Sequence, residues 1–419
     1  MTAPPDVVVI GGGIVGCSAA AFLAEAGLSV TIVERTGLAS GASGANSGVV
    51  QHPFDHALAG LYEETIRLYA ELSTLDLGFQ LGDEPDGLLF VTRDGGAAER
   101  LAASVLAEFP DQHATVLAGQ ELQRLEPALH PALVACRVRT GHTVPPAAST
   151  YAYASLAERH RAVVRLGREA RLELDGERVV GVRVDGVLTP AGAVVVAAGP
   201  WTPAIIDPAG RWRPITRRWG VVVEVDMVDP PRHVLEEAEI DTVLAGGGDD
   251  EPDVEPDVEP GVEPGVDPGR TEPEPVDRDD PSRRGTGHRP HRPTPTAREF
   301  SLITAGGVSA VGSTFLPSEP DPTAWVEPLL ARGSIFVPAI LEAPIRGVRA
   351  CARPLSLDGH PLIGALPGMA GLFVCAGHGP WGISTGPASA RMVADLILGR
   401  PVTVPAALDA ARFGSPFER

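Results

Sequence analysis

Within its first 35 residues the chain writes out a strand, a glycine turn, a helix and a second strand, and that succession leaves few folds open. Val7-Val8-Val9-Ile10 is a continuous apolar run, the pattern of a strand buried on both faces. Gly11-Gly12-Gly13-Ile14-Val15-Gly16 follows, and then an alanine-rich stretch from Cys17 that reads as a helix stopped by Gly27. Leu28 to Glu34 reads as the second strand. In such a G-x-G-x-x-G the first glycine permits a tight turn, the second lets backbone approach a pyrophosphate, and the third lets helix pack on strand. The helix start at Ile14 and Val15 presents free N–H groups and a partial positive charge to phosphates. Glu34, with Arg35 beside it, ends the second strand, where a carboxylate can accept from both hydroxyls of a ribose. Cys17, just inside the helix, reads as a small packing residue. The expectation is an α/β chain with a Rossmann-type dinucleotide-binding domain.

Composition removes several alternatives. All 34 cationic residues are Arg and none is Lys, which excludes a Lys Schiff base and a P-loop lysine. The net charge of −20 argues against nucleic-acid binding, which needs clustered cations. No stretch approaches the roughly 18 apolar residues of a membrane-spanning helix, and the N-terminus lacks the basic region of a signal peptide. Cys17, Cys136, Cys351 and Cys375 are scattered, without CxxC pairs. A reduced, cytoplasmic setting follows as the expectation.

The charge is unevenly placed. Residues 249–280 hold 14 acidic residues against Arg270 and Arg278, a net of −12. The surrounding segment 246–297 is rich in Pro and Gly, and too poor in aromatic and branched residues to bury a core. It reads as a disordered insertion between neighbouring strands, because apolar text flanks it at Gly220-Val-Val-Val-Glu-Val-Asp and Phe300-Ser-Leu-Ile-Thr. Loop closure entropy grows slowly enough with length to tolerate it.

Three further segments bear on the cofactor. Ser40-Gly41-Ala-Ser43-Gly-Ala-Asn46-Ser47-Gly48 can run amides and hydroxyls along a second stretch of an extended ligand. Ala193-Val-Val-Val-Ala-Ala198-Gly199 is another buried strand ending in small residues. Near the C-terminus, Gly371-Leu-Phe-Val-Cys-Ala-Gly377-His378-Gly379-Pro-Trp-Gly382-Ile383-Ser384-Thr385-Gly386 leads into a helix and places a second helix N-terminus against a ligand. Together these segments resemble the FAD-dependent D-amino-acid oxidase family, which includes glycine oxidase, sarcosine oxidase and the D-amino-acid dehydrogenases. The resemblance spans residues 6 to about 400 apart from the insertion. It implies FAD, with the last helix directed at the pyrimidine edge of the flavin.

The substrate side is carried by Arg349-Ala-Cys351-Ala-Arg353-Pro354-Leu-Ser-Leu-Asp358-Gly359-His-Pro361-Leu-Ile-Gly364, similar to the R-P-x-x-x-D-G-x-P-x-x-G signature of the glycine-oxidase-like and D-amino-acid-dehydrogenase-like members. The resemblance implies that Arg353 binds the substrate carboxylate, a role suited to a planar guanidinium. Arg349 is the alternative anchor, and a structural pair between Arg353 and Asp358 the bland one. His378 is a candidate contact to flavin or substrate, while His52 and His56 are candidates to line the cavity. Trp201 and Trp381 read as packing residues. Leu61, Thr65, Leu68 and Leu72 have the spacing of an amphipathic helix.

This chain departs from the family in three places. Cys351 stands at the spacing of the cysteine through which some sarcosine oxidases attach FAD, but without their flanking residues, so non-covalent FAD is expected. The lysine that the same subgroup uses for oxygen reduction is missing. Pro380 stands where glycine oxidase has an arginine.

The reading is therefore an FAD-dependent oxidoreductase that oxidises a small amino acid or secondary amine to the imine. Hydride passes from the α-carbon to flavin N5, and oxygen or a quinone-type acceptor reoxidises the flavin. No metal is required, and a homo-oligomer is possible. The FAD-binding domain is expected over residues 1–89, 146–204 and 346–419, with a mixed-sheet substrate domain over 90–145, 205–245 and 298–345. Two other functions stand beside this one. The first is oxidation of a 2-hydroxy acid, since Gly44-Ala-Asn46-Ser47-Gly48-Val-Val also looks like the second flavin loop of L-2-hydroxyglutarate and glycerol-3-phosphate oxidising flavoenzymes, where Gln51 replaces their histidine. The second is a flavin-binding component that works through a protein partner.

Overall fold

The computed structural model describes residues 4–238 and 298–417. The acidic segment 246–297 lies outside the described residues. The strand β1 (Val7–Ile10), the helix α1 (Ile14–Glu25) and the strand β2 (Val30–Val33) fold as the sequence predicts. Gly27, at φ +94°, ends the helix turn, and Leu28 N donates back to Leu23 O at 3.2 Å. β1 is the centre of a six-stranded sheet, flanked in parallel by β2 and by Ala193–Val196. The order across the sheet is Leu362–Ala365, Leu372–Ala376, Ala193–Val196, β1, β2, Val163–Arg165. Only the pair of Leu362–Ala365 with Leu372–Ala376 is antiparallel.

The apolar run of β1 buries both faces because it separates two cores. Val7 and Val9 face α1 and the helices His56–Ser73, Ala148–Arg159 and Gly382–Ile397. Val8 and Ile10 face a three-stranded antiparallel sheet built from 170–190. Alternation along a strand produces this split. The predicted amphipathic helix is His56–Ser73, with Leu58, Leu61, Thr65, Leu68 and Leu72 buried. Asp55 caps it by accepting from Ala57 N and Leu58 N at 2.7 and 3.1 Å.

A second, eight-stranded sheet runs in the order Ile345–Ser356, Ile215–Val225, Val308–Thr314, Arg298–Ala305, Val234–Glu237, Leu88–Thr92, Val134–Val138, Thr115–Ala118. It is antiparallel except where Val234–Glu237 meets Leu88–Thr92. One face carries Val221, Val223, Leu235, Leu302 and Val311 and is covered by the helix Val326–Ser334. The other face turns toward the glycine-rich segments. Two points differ from the sequence reading. The strand Ile345–Ser356, assigned there to the FAD-binding segments, pairs along eleven residues of Ile215–Val225 and belongs to the large sheet. The neighbour of Arg298–Ala305 across residues 238–297 is not Gly220–Asp226 but the four-residue strand Val234–Glu237, with Glu236 opposite Ser301. Among the described residues no helix is long and apolar enough to cross a membrane.

Candidate active site

A cavity of about 540 Å³ runs from the glycine turn after β1 to the open face of the eight-stranded sheet. At its first end the glycines act by the space they leave. A Cβ on Gly11, which lies at φ +119°, would overlap the Ala197 carbonyl; one on Gly16 would overlap the Gly11 carbonyl. Gly16 therefore packs helix on strand and does not itself reach the cavity. Gly13 caps α1 and faces it, a Cβ there standing 2.9 Å from Ser43 Oγ. Ile14 N donates to that hydroxyl at 2.9 Å, and Ile14 and Val15 form the floor. Glu34 accepts from Gly12 N at 2.7 Å and from Thr36 N at 2.8 Å, which fixes its carboxylate at the rim. Arg35 lies over the Trp201 ring at 5.1 Å, and Arg217 is 5.8 Å from the same ring. Trp201 is thus a cavity wall rather than packing, whereas Trp381 does both, buried in the core beside α1 and lining the cavity.

The loop after β2 is held rigidly. Asn46 Nδ2 donates to Ser43 O at 2.8 Å and Pro146 O at 3.1 Å, while its Oδ1 accepts from Gly48 N at 2.8 Å. Gly41, Ser43, Asn46 and Ser47 line the cavity, whereas Gly48 sits behind it against the Val144 carbonyl. Arg349 belongs to this loop and not to the substrate end: it pairs with Glu224, and it donates to Ala45 O at 3.3 Å and Asn46 O at 2.8 Å. The candidacy of Arg349 as carboxylate anchor is thereby corrected, since Arg349 does not line the main cavity and its donors already have acceptors.

Opposite the loop stand Ala198 and Gly199, joined by Arg168, Glu169 and Ala170, which sequence reasoning missed. The helix Gly382–Ile397 points its N-terminal turn at the cavity, with Gly379, Gly382, Ile383 and Ser384 on the wall. Thr385 does not reach it; its hydroxyl donates to Trp381 O at 2.8 Å, inside the helix. His378 is 2% exposed and lines the cavity. Its Nε2 has no hydrogen-bond partner among the described residues, and burial pulls its pKa down to about 4, so the ring is neutral at physiological pH. His52 packs instead against Phe54, Tyr62 and Phe109, and His56 is exposed; neither lines the cavity.

At the sheet end lies Arg353. Residues 349, 351 and 353 share the open face of their strand, as alternation requires. Arg353 Nη1 donates to Thr314 O at 2.8 Å, Nη2 donates to Ser313 Oγ at 2.5 Å, and the guanidinium lies 4.7 Å from the Phe315 ring centre. Asp358 is not its partner; that carboxylate forms a two-point pair with Arg412 at 2.7 and 2.9 Å. Cys351 lines the cavity, and burial raises its thiol pKa, which disfavours the thiolate. Gln51, Glu236, Ser301 and Ser313 complete this end; sequence reasoning named Gln51 only as a departure in the second flavin loop and missed the other three.

A glycine turn under a helix N-terminus, a strand-end carboxylate and a polar pocket on a second sheet define a dinucleotide-dependent oxidoreductase. Residues 6–396 match the DAO family, FAD dependent oxidoreductases. The anaerobic glycerol-3-phosphate dehydrogenase of Escherichia coli K12 has a chain that is 32% identical over 210 residues, 49% of this chain and 38% of that one. The protein therefore spans well under two thirds of that relative's length. Glycine oxidase from Pseudomonas aeruginosa is 26% identical over 424 residues, covering 96% of this chain and 97% of the other. The structure of glycine oxidase from Bacillus cereus ATCC 14579 superposes with a TM-score of 0.73 at 22% identity, over 95% and 96% of the two chains. This chain belongs to the DAO family of FAD-dependent oxidoreductases, and its cofactor is FAD. The cavity fits that group: side-chain-free backbone at Gly11 and Gly13 borders it, and a buried imidazole nitrogen at His378 awaits a partner.

Proposed function

We propose that this enzyme oxidises a small α-amino acid or secondary amine to the imine, with Arg353 holding the substrate carboxylate. The observation that carries the reading is Arg353 itself: a cation on the cavity wall that forms no ion pair with any of the described residues. A guanidinium so placed offers two parallel donors to a planar anion. The glycine oxidase likeness over nearly the whole chain supports the same substrate class.

The backbone from Gly11 to Val15 would hold the pyrophosphate of FAD, and Glu34 a ribose. Ser43, Ser47, Ala198 and Gly199 would line its length, while Gly379, Gly382, Ile383 and Ser384 would face the flavin end. Bound FAD supplies the acceptor for the α-hydrogen and its electron pair. Arg353 orients the α-carbon, and orientation is most of what such a transfer requires of the protein. The N-terminus of Gly382–Ile397 presents the positive end of its dipole to the cavity. Val222, Ile303 and Phe315 make the sheet end apolar around the guanidinium and keep water from the reacting carbon; the released imine is hydrolysed by water. Attachment through Cys351 is not part of this reading. Oxygen or a quinone-type acceptor takes the electrons, and four buried cysteines, none in a disulfide, suit a reducing cytoplasm.

The match to a glycerol-3-phosphate dehydrogenase favours a second reading, oxidation of an alcohol carbon. Anaerobic bleaching of the flavin band at about 450 nm by a panel of amino and hydroxy acids decides between them. Bleaching by amino acids is the expected result; bleaching by hydroxy acids alone would overturn it.

A further inference from the structure

Two polar side chains at the sheet end have no task in holding FAD or in supporting Arg353. Glu236, on Val234–Glu237, is 6% exposed, and Gln51, just after Val49–Val50, is 4% exposed; both line the cavity. Gln51 is fixed at its backbone, where N donates to Ser384 Oγ at 3.1 Å. Its side-chain Nε2 donates to the two carboxylate oxygens of Glu236 at 3.1 and 3.3 Å. That commitment leaves Oε1 as the amide's remaining polar atom, and Oε1 is buried without a donor among the described residues. Buried acceptors in folded proteins are almost always satisfied, so a donor arriving with a ligand is the missing partner.

The corner and Arg353 stand along one wall of the same cavity. Glu236 is opposite Ser301, and Ser301 opposite Gly312. Gly312 precedes Ser313, whose hydroxyl accepts from the guanidinium, and the guanidinium itself lies over Gly220 of the next strand. A ligand held by its carboxylate on Arg353 can therefore direct its other end along the cavity toward Gln51 and Glu236.

We propose that Gln51 Oε1 and the Glu236 carboxylate read the substrate's amino group. Two acceptors converging on one atom need two hydrogens on it. A primary or secondary ammonium provides at least two, whereas a hydroxyl or a tertiary ammonium provides one. The corner therefore selects primary and secondary α-amino acids over 2-hydroxy acids and N,N-dialkyl amino acids. It also gives the ammonium proton a destination: one N–H bond breaks and one O–H bond forms on Glu236, leaving the neutral amine that oxidation requires. This inference rests on the reading of the cavity as an amino-acid site.

The test measures binding to the FAD-loaded enzyme by calorimetry, with three ligands that carry no α-hydrogen able to react in the amino-acid pose: 2-aminoisobutyrate, 2-hydroxyisobutyrate and isobutyrate. Wild type is expected to bind the amino acid at least 30-fold more tightly than the other two. Glu236→Gln, which keeps shape, and Gln51→Met are each expected to reduce that preference below about threefold, with isobutyrate affinity and the flavin spectrum retained. A preference that survives in Glu236→Gln, or three ligands weakened in parallel, would overturn the assignment. If wild type binds isobutyrate without preferring the amine, only the amine corner falls. If it binds none of the three, the amino-acid reading falls and takes this one with it.

Discussion

The guanidinium of Arg353 fills the space that a side chain at residue 220 would need: a Cβ on Gly220 would overlap Nη1, Cζ and Nη2 of Arg353. Gly220 lies on the neighbouring strand, between Arg353 and the Ser313 hydroxyl to which Arg353 donates. The anchor thus reaches across a strand because that strand carries hydrogen at the crossing point. Gly220→Ala should displace the guanidinium and raise the substrate dissociation constant about 30-fold, or about 2 kcal/mol. Arg353→Ala should weaken binding by about 2–5 kcal/mol. Rapid anaerobic mixing gives both values; unchanged affinity in Arg353→Ala would remove it as the anchor.

The glycines of the first turn divide into two kinds that mutation should separate. A Cβ at Gly16 meets backbone that cannot swing aside, so Gly16→Ala should lose FAD and about 1–3 kcal/mol of stability. Gly27 has open space around it but a φ of +94°. Gly27→Ala should therefore cost about 1–2 kcal/mol of stability and leave the FAD dissociation constant unchanged. Flavin titration with denaturant unfolding distinguishes the pair.

Arg349 and Arg353 should fail in different ways. Arg349→Leu leaves Glu224 without its partner and frees the carbonyls of Ala45 and Asn46. The expected outcome is weaker FAD retention and a stability loss of about 1–3 kcal/mol. Substrate affinity of the FAD-loaded fraction should stay within about threefold. A selective loss of substrate affinity in Arg349→Leu would contradict its structural role.

Burial lowers the His378 pKa from 6.5 to about 4 in the folded chain. Between those values the unfolded chain binds the proton and the folded chain does not, so stability falls as pH drops from 6.5 toward 4. The contribution reaches about 3 kcal/mol at the acid end. Denaturant unfolding of FAD-free protein at pH 7 and pH 5 should show a smaller drop in His378→Phe than in wild type. Equal drops would place the imidazole in contact with water.

The cofactor end was legible because it is written in consecutive residues. β1, the glycine turn, α1 and Glu34 specify one another at short range, and so do His378 to Ser384. The sheet end was not, because its walls come from strands far apart in sequence. Glu236 sits on a strand of four residues, too short to show period-two alternation, and meets Gln51 only through the sheet order. Arg168 to Ala170 follow a three-residue strand and carry no motif. Arg349 and Arg353 share one face of one strand, so periodicity cannot choose between them; the choice is made by Glu224, which sits on the paired strand and takes Arg349 as its partner. Gly16, Gly48 and Thr385 stand at motif positions yet work behind the wall, a distinction of a few ångströms that spacing does not encode.

The strand Ile345–Ser356 grips the cofactor loop with Arg349 and presents the substrate anchor four residues on, about 13 Å further along. It acts as a ruler: sliding it by one pleat repeat would misplace both contacts together, so neither can drift alone. New specificities would then arise most readily from opposite strands, where a residue such as Glu236 can be exchanged while the gauge between flavin and carboxylate stays set.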